Sequence, residues 1–223
     1  MISQISAAFA EGGIWMIAIL AVHIVSLALI AERVYALYFQ RTVNQRSLVQ
    51  NFERDIKGGK LDKVSERALG LSKSHPAAAI VLAGAQAAHS MGGREEIQAK
   101  MDEVLAIESE KLERRTGFLA MLANVGTLLG LLGTVIGLIQ AFNSVANMNP
   151  VEKSIYLTRG VSLAMNTTAY GLIMAIPTLI MYAVLTNRTA KLQEDLNQAT
   201  TKAMNWLSYN FENVGSKRSS RSV

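Results

Sequence analysis

The sequence predicts an all-α, polytopic membrane protein with three transmembrane helices, two of them long and extending into the cytoplasm. Three features of the chain predict it. Half of the 223 residues are hydrophobic and only 17% are charged, below the roughly 25% usual in soluble domains. The charges cluster, leaving residues 14–38, 117–146 and 159–187 nearly free of them, and a helix needs about 20 such residues to cross a bilayer. Inside the second and third runs the polar side chains are almost all hydroxyls and amides, and several of them fall at helical spacing.

Residues 1–13 are expected as a short, partly apolar periplasmic segment. No Lys or Arg precedes the first apolar run, only Glu11, so the cationic region of a secretory signal is missing. The first span, residues 14–38, has Trp15 at one end and Tyr35 and Tyr38 at the other, where interfacial aromatics belong. Glu32 and Arg33 near its second end reach headgroups or pair with a neighbouring helix. For His23, near mid-span, an interhelical hydrogen bond is the plain role and a proton relay the alternative.

Residues 39–116 are soluble in character and read as short helices over 46–57, 60–72 and 76–91, with Gly58-Gly59 and Gly92-Gly93 as breaks. From Arg94 the apolar positions take helical spacing, with Glu95 and Glu96 in the first turn, where carboxylates favour the helix dipole. No breaker follows before Gly117, which predicts one helix running from the aqueous phase into the second span, 117–146. Residues 147–158 are a short polar connection holding Pro150, and 159–187 are the third span. Residues 188–214 continue as a cytoplasmic helix, and 215–223, rich in Ser, Lys and Arg, are expected as a disordered tail.

Basic residues set the orientation. The 39–116 loop and the C-terminal segment hold nearly all of them, including Arg41, Arg114, Arg115 and Arg188 close to the spans, whereas the opposite side has Lys153 and Arg159. The positive-inside rule then places loop and tail in the cytoplasm and the N-terminus outside.

The two long spans carry a packing code. In the second, Gly126/Gly130 and Gly133/Gly137 are pairs of small residues four apart, which let helix backbones approach closely. Thr127 and Thr134, seven apart, share one face. In the third span, Asn166, Thr167 and Thr168 form a polar knot that is costly against lipid, so it faces other helices or a pore. Ala164, Thr168, Gly171, Ala175 and Thr178 fall on one stripe. Pro177 either kinks the helix or frees the carbonyl of Ile173. A narrow face of small and polar residues suits a tight bundle and also a pore lining; pattern alone favours packing.

Neither long span has an acidic or basic side chain in its interior. A proton path through them takes its carboxylate from a partner, whose pKa threonine hydroxyls can shift by hydrogen bonding. No enzymatic activity is expected, because no span has paired carboxylates, a His cluster or a Ser/His arrangement. The absence of cysteine excludes thiolate metal sites and cysteine nucleophiles. No cofactor, metal or nucleic-acid partner is expected.

The segments Gly130-Leu-Leu-Gly-Thr134-Val-Ile-Gly137-Leu and Gly160-Val-Ser-Leu-Ala-Met-Asn-Thr-Thr168-Ala-Tyr-Gly171-Leu-Ile-Met-Ala-Ile-Pro177 resemble the two signature segments of the MotA/TolQ/ExbB proton-channel family. Glu32-Arg33, followed by Leu37 and Arg41, looks like the end of that family's first helix. Three spans with a large loop between the first two resemble the TolQ/ExbB branch rather than the four-span MotA branch. The resemblance implies a homopentameric bundle in the bacterial inner membrane, enclosing two copies of an ExbD/TolR-like single-span partner with a membrane Asp. Flow of H+, or alternatively Na+, through that Asp then drives mechanical work in the periplasm or on the outer membrane. It implies that Thr134 and Thr168 face the Asp; Thr127, Thr167 and Asn166 are the further ion-pathway candidates. Gly126, Gly130, Gly133, Gly137, Gly171, Ala175 and Pro177 are the helix-packing candidates. ExbB and TolQ usually carry a Glu early in the third helix, where this chain has Leu163 beside Ser162. A structural membrane scaffold without ion conduction is the alternative to a motor subunit.

Overall fold

The structure, a computed structural model, describes residues 13–40, 45–90, 93–145 and 149–219. Among the described residues there are helices and no strands: α1 (Gly13–Val34, continued by a π-helical stretch Tyr35–Gln40), α2 (Gln45–Lys57), α3 (Leu61–Ser72), α4 (Pro76–His89), α5 (Arg94–Glu113), α6 (Thr116–Ser144) and α7 (Pro150–Ser219). Three stretches are long and apolar enough to cross a membrane, Ile14–Phe39, Arg94–Ser144 and Pro150–Tyr209. Their large apolar side chains are mostly uncovered within the chain: Ile14, Ile17, Leu128, Leu131, Ile173 and Ile176 are each more than half exposed. Water penalises such a surface, whereas lipid or another apolar helix accommodates it.

The chain forms two compact units, Met1–Val34 with Arg115–Leu185 and Tyr35–Arg114 with Thr186–Val223. In the first, α1 packs on α6, and α6 runs antiparallel to the first part of α7. At the end of α1, Glu32 accepts from Arg33 at 3.2 Å and from Arg115 at 2.7 Å. The second unit buries Phe52, Ile56, Val64, Ile80, Ile97, Met101 and Leu196. A methyl group on Gly84 would meet Met101 Sδ at 2.6 Å and Leu207 Cδ1 at 2.8 Å, so α4 sits close against α5 and the C-terminal part of α7. Gln45 Oε1 accepts the Ala77 N–H at 3.2 Å, capping a helix start whose own N-cap, His75, offers no side-chain bond.

Three boundaries depart from the sequence reading. The single helix expected from Arg94 into the second span is interrupted at Arg114 and Arg115, where Arg115 is left-handed with φ 66°. That conformation costs a non-glycine residue on the order of 1 kcal/mol, and it is found where Arg115 pairs with Glu32. The connection expected over 147–158 is helical from Pro150 onward, because Asn149 Oδ1 caps the Glu152 N–H at 3.0 Å and proline suits the first helical position. The tail expected as disordered from 215 is helical to Ser219; residues 220–223 lie outside the described residues, as do 1–12 of the expected N-terminal segment.

Candidate functional site in the apolar helices

At its centre the contact between α6 and α7 brings main chain against main chain. A Cβ placed on Gly130 would meet Thr167 O at 3.1 Å, Gly171 Cα at 3.2 Å and Thr168 Cα at 3.3 Å. One on Gly171 would meet Gly126 O at 2.8 Å and Gly130 Cα at 3.1 Å. Gly126 faces the Met174 thioether, Gly133 faces Thr167, and Gly137 faces the Ala164 methyl at 3.3 Å. Lipid offers little driving force to join two apolar helices, so van der Waals contact and hydrogen bonds at close range must do it. Ala175 is buried as well. Pro177, expected among the packing residues, is exposed within the chain, and α7 runs through it without interruption. It lies two residues from buried Ala175, about 200° around the helix.

This close approach brings together hydroxyls that are far apart in sequence. Thr134 Oγ1 and Thr168 Oγ1 are in hydrogen-bond contact. Thr134 Oγ1 also lies 3.1 Å from both Gly130 O and Ala164 O, and Thr168 Oγ1 lies 3.2 Å from Gly130 O. Both threonines are half-buried, so their pair reaches the surface of the unit. A hydroxyl has one proton to give and two lone pairs to accept with. The pair can therefore donate to an ionised acid or accept from a protonated one.

The other three candidates differ. Thr167, expected to line the ion path, is only 3% exposed; it fills the room left by Gly133 and bonds Ala164 O at 2.7 Å. Thr127 is exposed and donates back to Ala123 O at 3.1 Å, the usual local bond of a helical threonine. Asn166 is half-buried, two residues and thus about 200° from Thr168 around α7.

No acidic or basic residue lies in α6 or in residues 160–187 of α7. From Gly137, one turn beyond Thr134, toward the end of α6, an open cleft of about 180 Å³ is lined by Gly137, Gln140, Ala141, Ser144, Tyr156, Arg159, Gly160 and Leu163. Its lining has one cation and no carboxylate, with Leu163 in it. Among the described residues, no three His, Cys, Asp or Glu side chains gather into a possible metal site.

Of the two ring nitrogens of His23, expected to make an interhelical hydrogen bond, Nδ1 is buried without a partner within the chain. A polar contact between α1 and α7 is made by Ser26. Ser26 Oγ donates to His23 O at 2.8 Å and lies 3.5 Å from Thr178 Oγ1, which donates to Met174 O at 2.8 Å. Sequence reading passed over Ser26, although a lone serine in an apolar run, on a span beside a helix with its own threonine stripe, was a usable signal.

The sequence is similar to known proteins. The profile of the MotA/TolQ/ExbB proton channel family matches residues 72–198, a stretch that includes Thr134, Thr168 and the glycines between them. The chain is 25% identical over 127 residues to the biopolymer transport protein ExbB of Pseudomonas putida, covering 57% of this chain and 38% of that protein. It is 26% identical over 200 residues to a putative ExbB homolog of Methanothermobacter thermautotrophicus, covering 89% and 68%. It is 35% identical over 88 residues to the Tol-Pal system protein TolQ of Haemophilus influenzae, covering 40% and 38%. The matched stretch thus spans little more than a third of the Pseudomonas and Haemophilus proteins.

Proposed function

The chain belongs to the MotA/TolQ/ExbB proton channel family, in its ExbB/TolQ-like branch, and from that premise we propose that it is the ion-channel subunit of a motor driven by the proton-motive force. It sits in the inner membrane of a bacterium, with its soluble unit in the cytoplasm. It assembles as a pentamer around an ExbD/TolR-like partner with one span and a membrane Asp. Ion flow through the assembly is converted into mechanical work on the periplasm or the outer membrane. The chain performs no catalysis in this scheme.

The observation that carries the reading is the Thr134–Thr168 hydroxyl pair in a stretch free of charge. A carboxylate in a low-dielectric environment is costly unless it is hydrogen-bonded. The pair supplies a donor when the partner's acid is ionised and an acceptor when it is protonated, so both states of the acid find a partner at one place. The cluster favours H+ over Na+: its oxygens sit at hydrogen-bond distances from one another, such as 2.7 and 3.1 Å, and would have to separate to surround a dehydrated cation.

Thr134→Val and Thr168→Val test this. Each keeps the side-chain shape and deletes the hydroxyl. Ion flux through the reconstituted complex is expected to fall about tenfold to a hundredfold, the equivalent of one hydrogen bond to a charged group, with assembly unchanged. Undiminished flux in both variants would refute the pore role, and no ion movement in the wild-type complex would favour a scaffold.

A further inference from the structure

The count of protons and acceptors around the pair assigns a role to Thr167, and this inference rests on the reading just given. Three hydroxyls, from Thr134, Thr167 and Thr168, meet two main-chain carbonyls, Gly130 O and Ala164 O. Each carbonyl lies within a helix and accepts a main-chain N–H, which leaves it one lone pair. There are thus three hydroxyl protons for two carbonyl sites. Thr167 has the shorter approach to Ala164 O, 2.7 Å against 3.1 Å for Thr134. Being 3% exposed, it has nowhere else to turn, since its other carbonyl contact, Gly130 O, is at 3.5 Å. One proton of the outer pair takes Gly130 O. The remaining one has only the neighbouring hydroxyl to bind, and it can swing outward without stranding a carbonyl.

We infer that Thr167 is a positioning residue for the ion path: by holding the Ala164 carbonyl, it leaves one hydroxyl proton of the Thr134–Thr168 pair free to turn outward toward an anionic acid. Without it, Thr134 would take Ala164 O, Thr168 would take Gly130 O, and any outward turn would break a bond to a carbonyl.

The surroundings leave few competing groups. α6 has no acidic or basic side chain. On α7, Arg159 lies at the cleft and Tyr170 is two residues, about 200°, around the helix from Thr168. On α1, His23 adjoins Ser26, which meets Thr178, ten residues or about 15 Å along α7 from Thr168.

The test uses the complex purified from native membranes with whatever partner accompanies it, placed in phosphatidylethanolamine–phosphatidylglycerol vesicles. Proton flux is followed with an entrapped pH dye as a function of pH. Thr167→Val removes the hydroxyl and keeps the shape; Thr167→Ala removes it without adding bulk should the valine disturb folding. Loss of a donor to the ionised acid raises the acid's pKa, so the flux midpoint is expected to move up by about one pH unit in both. Thr167→Ser, which keeps the donor, is expected to restore the wild-type midpoint. A wild-type midpoint in Thr167→Val and Thr167→Ala overturns the inference, as does a serine variant shifted as far as they are, which would make the side chain's shape the cause. If these results come while Thr134→Val and Thr168→Val still block flux, only the role of Thr167 fails. If Thr134→Val and Thr168→Val leave flux intact, the channel reading fails and takes this inference with it.

Discussion

The two units of this chain join their helices by opposite means. The unit of 35–114 and 186–219 buries large side chains, with Phe52, Ile56, Ile80 and Met101 almost wholly covered, each contributing by removing apolar surface from water at about 25 cal/mol per Å². The membrane unit brings glycine backbones together and finishes the contact with hydroxyls on carbonyls. Glycine serves both, but against different neighbours. At Gly84 the nearest atoms are the ends of Met101 and Leu207, which can change rotamer. At Gly171 the nearest atom is the carbonyl oxygen of Gly126 at 2.8 Å, which moves only with its helix. At these two positions, then, a side chain sets the limit on packing in one unit and the main chain in the other.

The contrast can be broken by substitution. The largest effect is expected from Phe52→Ala, which empties the core of the unit that holds it and should cost about 3–5 kcal/mol. Thermal unfolding in detergent, with protease sensitivity of that unit as a second readout, measures it. Next comes Gly171→Ala, which forces α6 and α7 apart and should cost about 1–3 kcal/mol, visible as a lower melting temperature. Gly84→Ala sharpens the comparison: the same added methyl meets side chains that can change rotamer and should cost about 1 kcal/mol, the low end of the overpacking range. Equal losses at positions 84 and 171 would show that backbone and side-chain neighbours resist alike. The smallest effect is expected from Asp195→Asn, which breaks the 2.6 Å pair to a partly exposed Arg46 and should cost about 0.5 kcal/mol, less in high salt.

Much of this architecture was legible in the sequence because apolar run length and glycine spacing are local signals. The three spans and their order follow from the first, and the α6 face that meets α7 follows from the second. What escaped depends on distant partners. Arginine is a good helix former, so nothing in Arg114-Arg115 announces a break; the partner of Arg115 is Glu32, 83 residues away. Pro150 reads as a loop residue until Asn149 is recognised as its cap. The adjacency of Thr167 and Thr168 suggested a shared role, yet neighbours on a helix point about 100° apart, and the antiparallel packing sends one inward and leaves the other at the surface. The pairing of Thr134 with Thr168 could not come from either helix's periodicity, since it needs the register between two helices; the resemblance to known channel segments supplied it.

The uncharged interior of α6 and α7 also bears on the order in which a cell can make its parts. Residues 160–187 and all of α6 hold no acidic or basic side chain. A proton entering the bundle on its own would find no site at which to rest midway, and hydroxyls alone do not take up its charge. In the scheme proposed above, a membrane can therefore be stocked with this subunit early without discharging its gradient, and leakage begins only when the acid-bearing chain arrives.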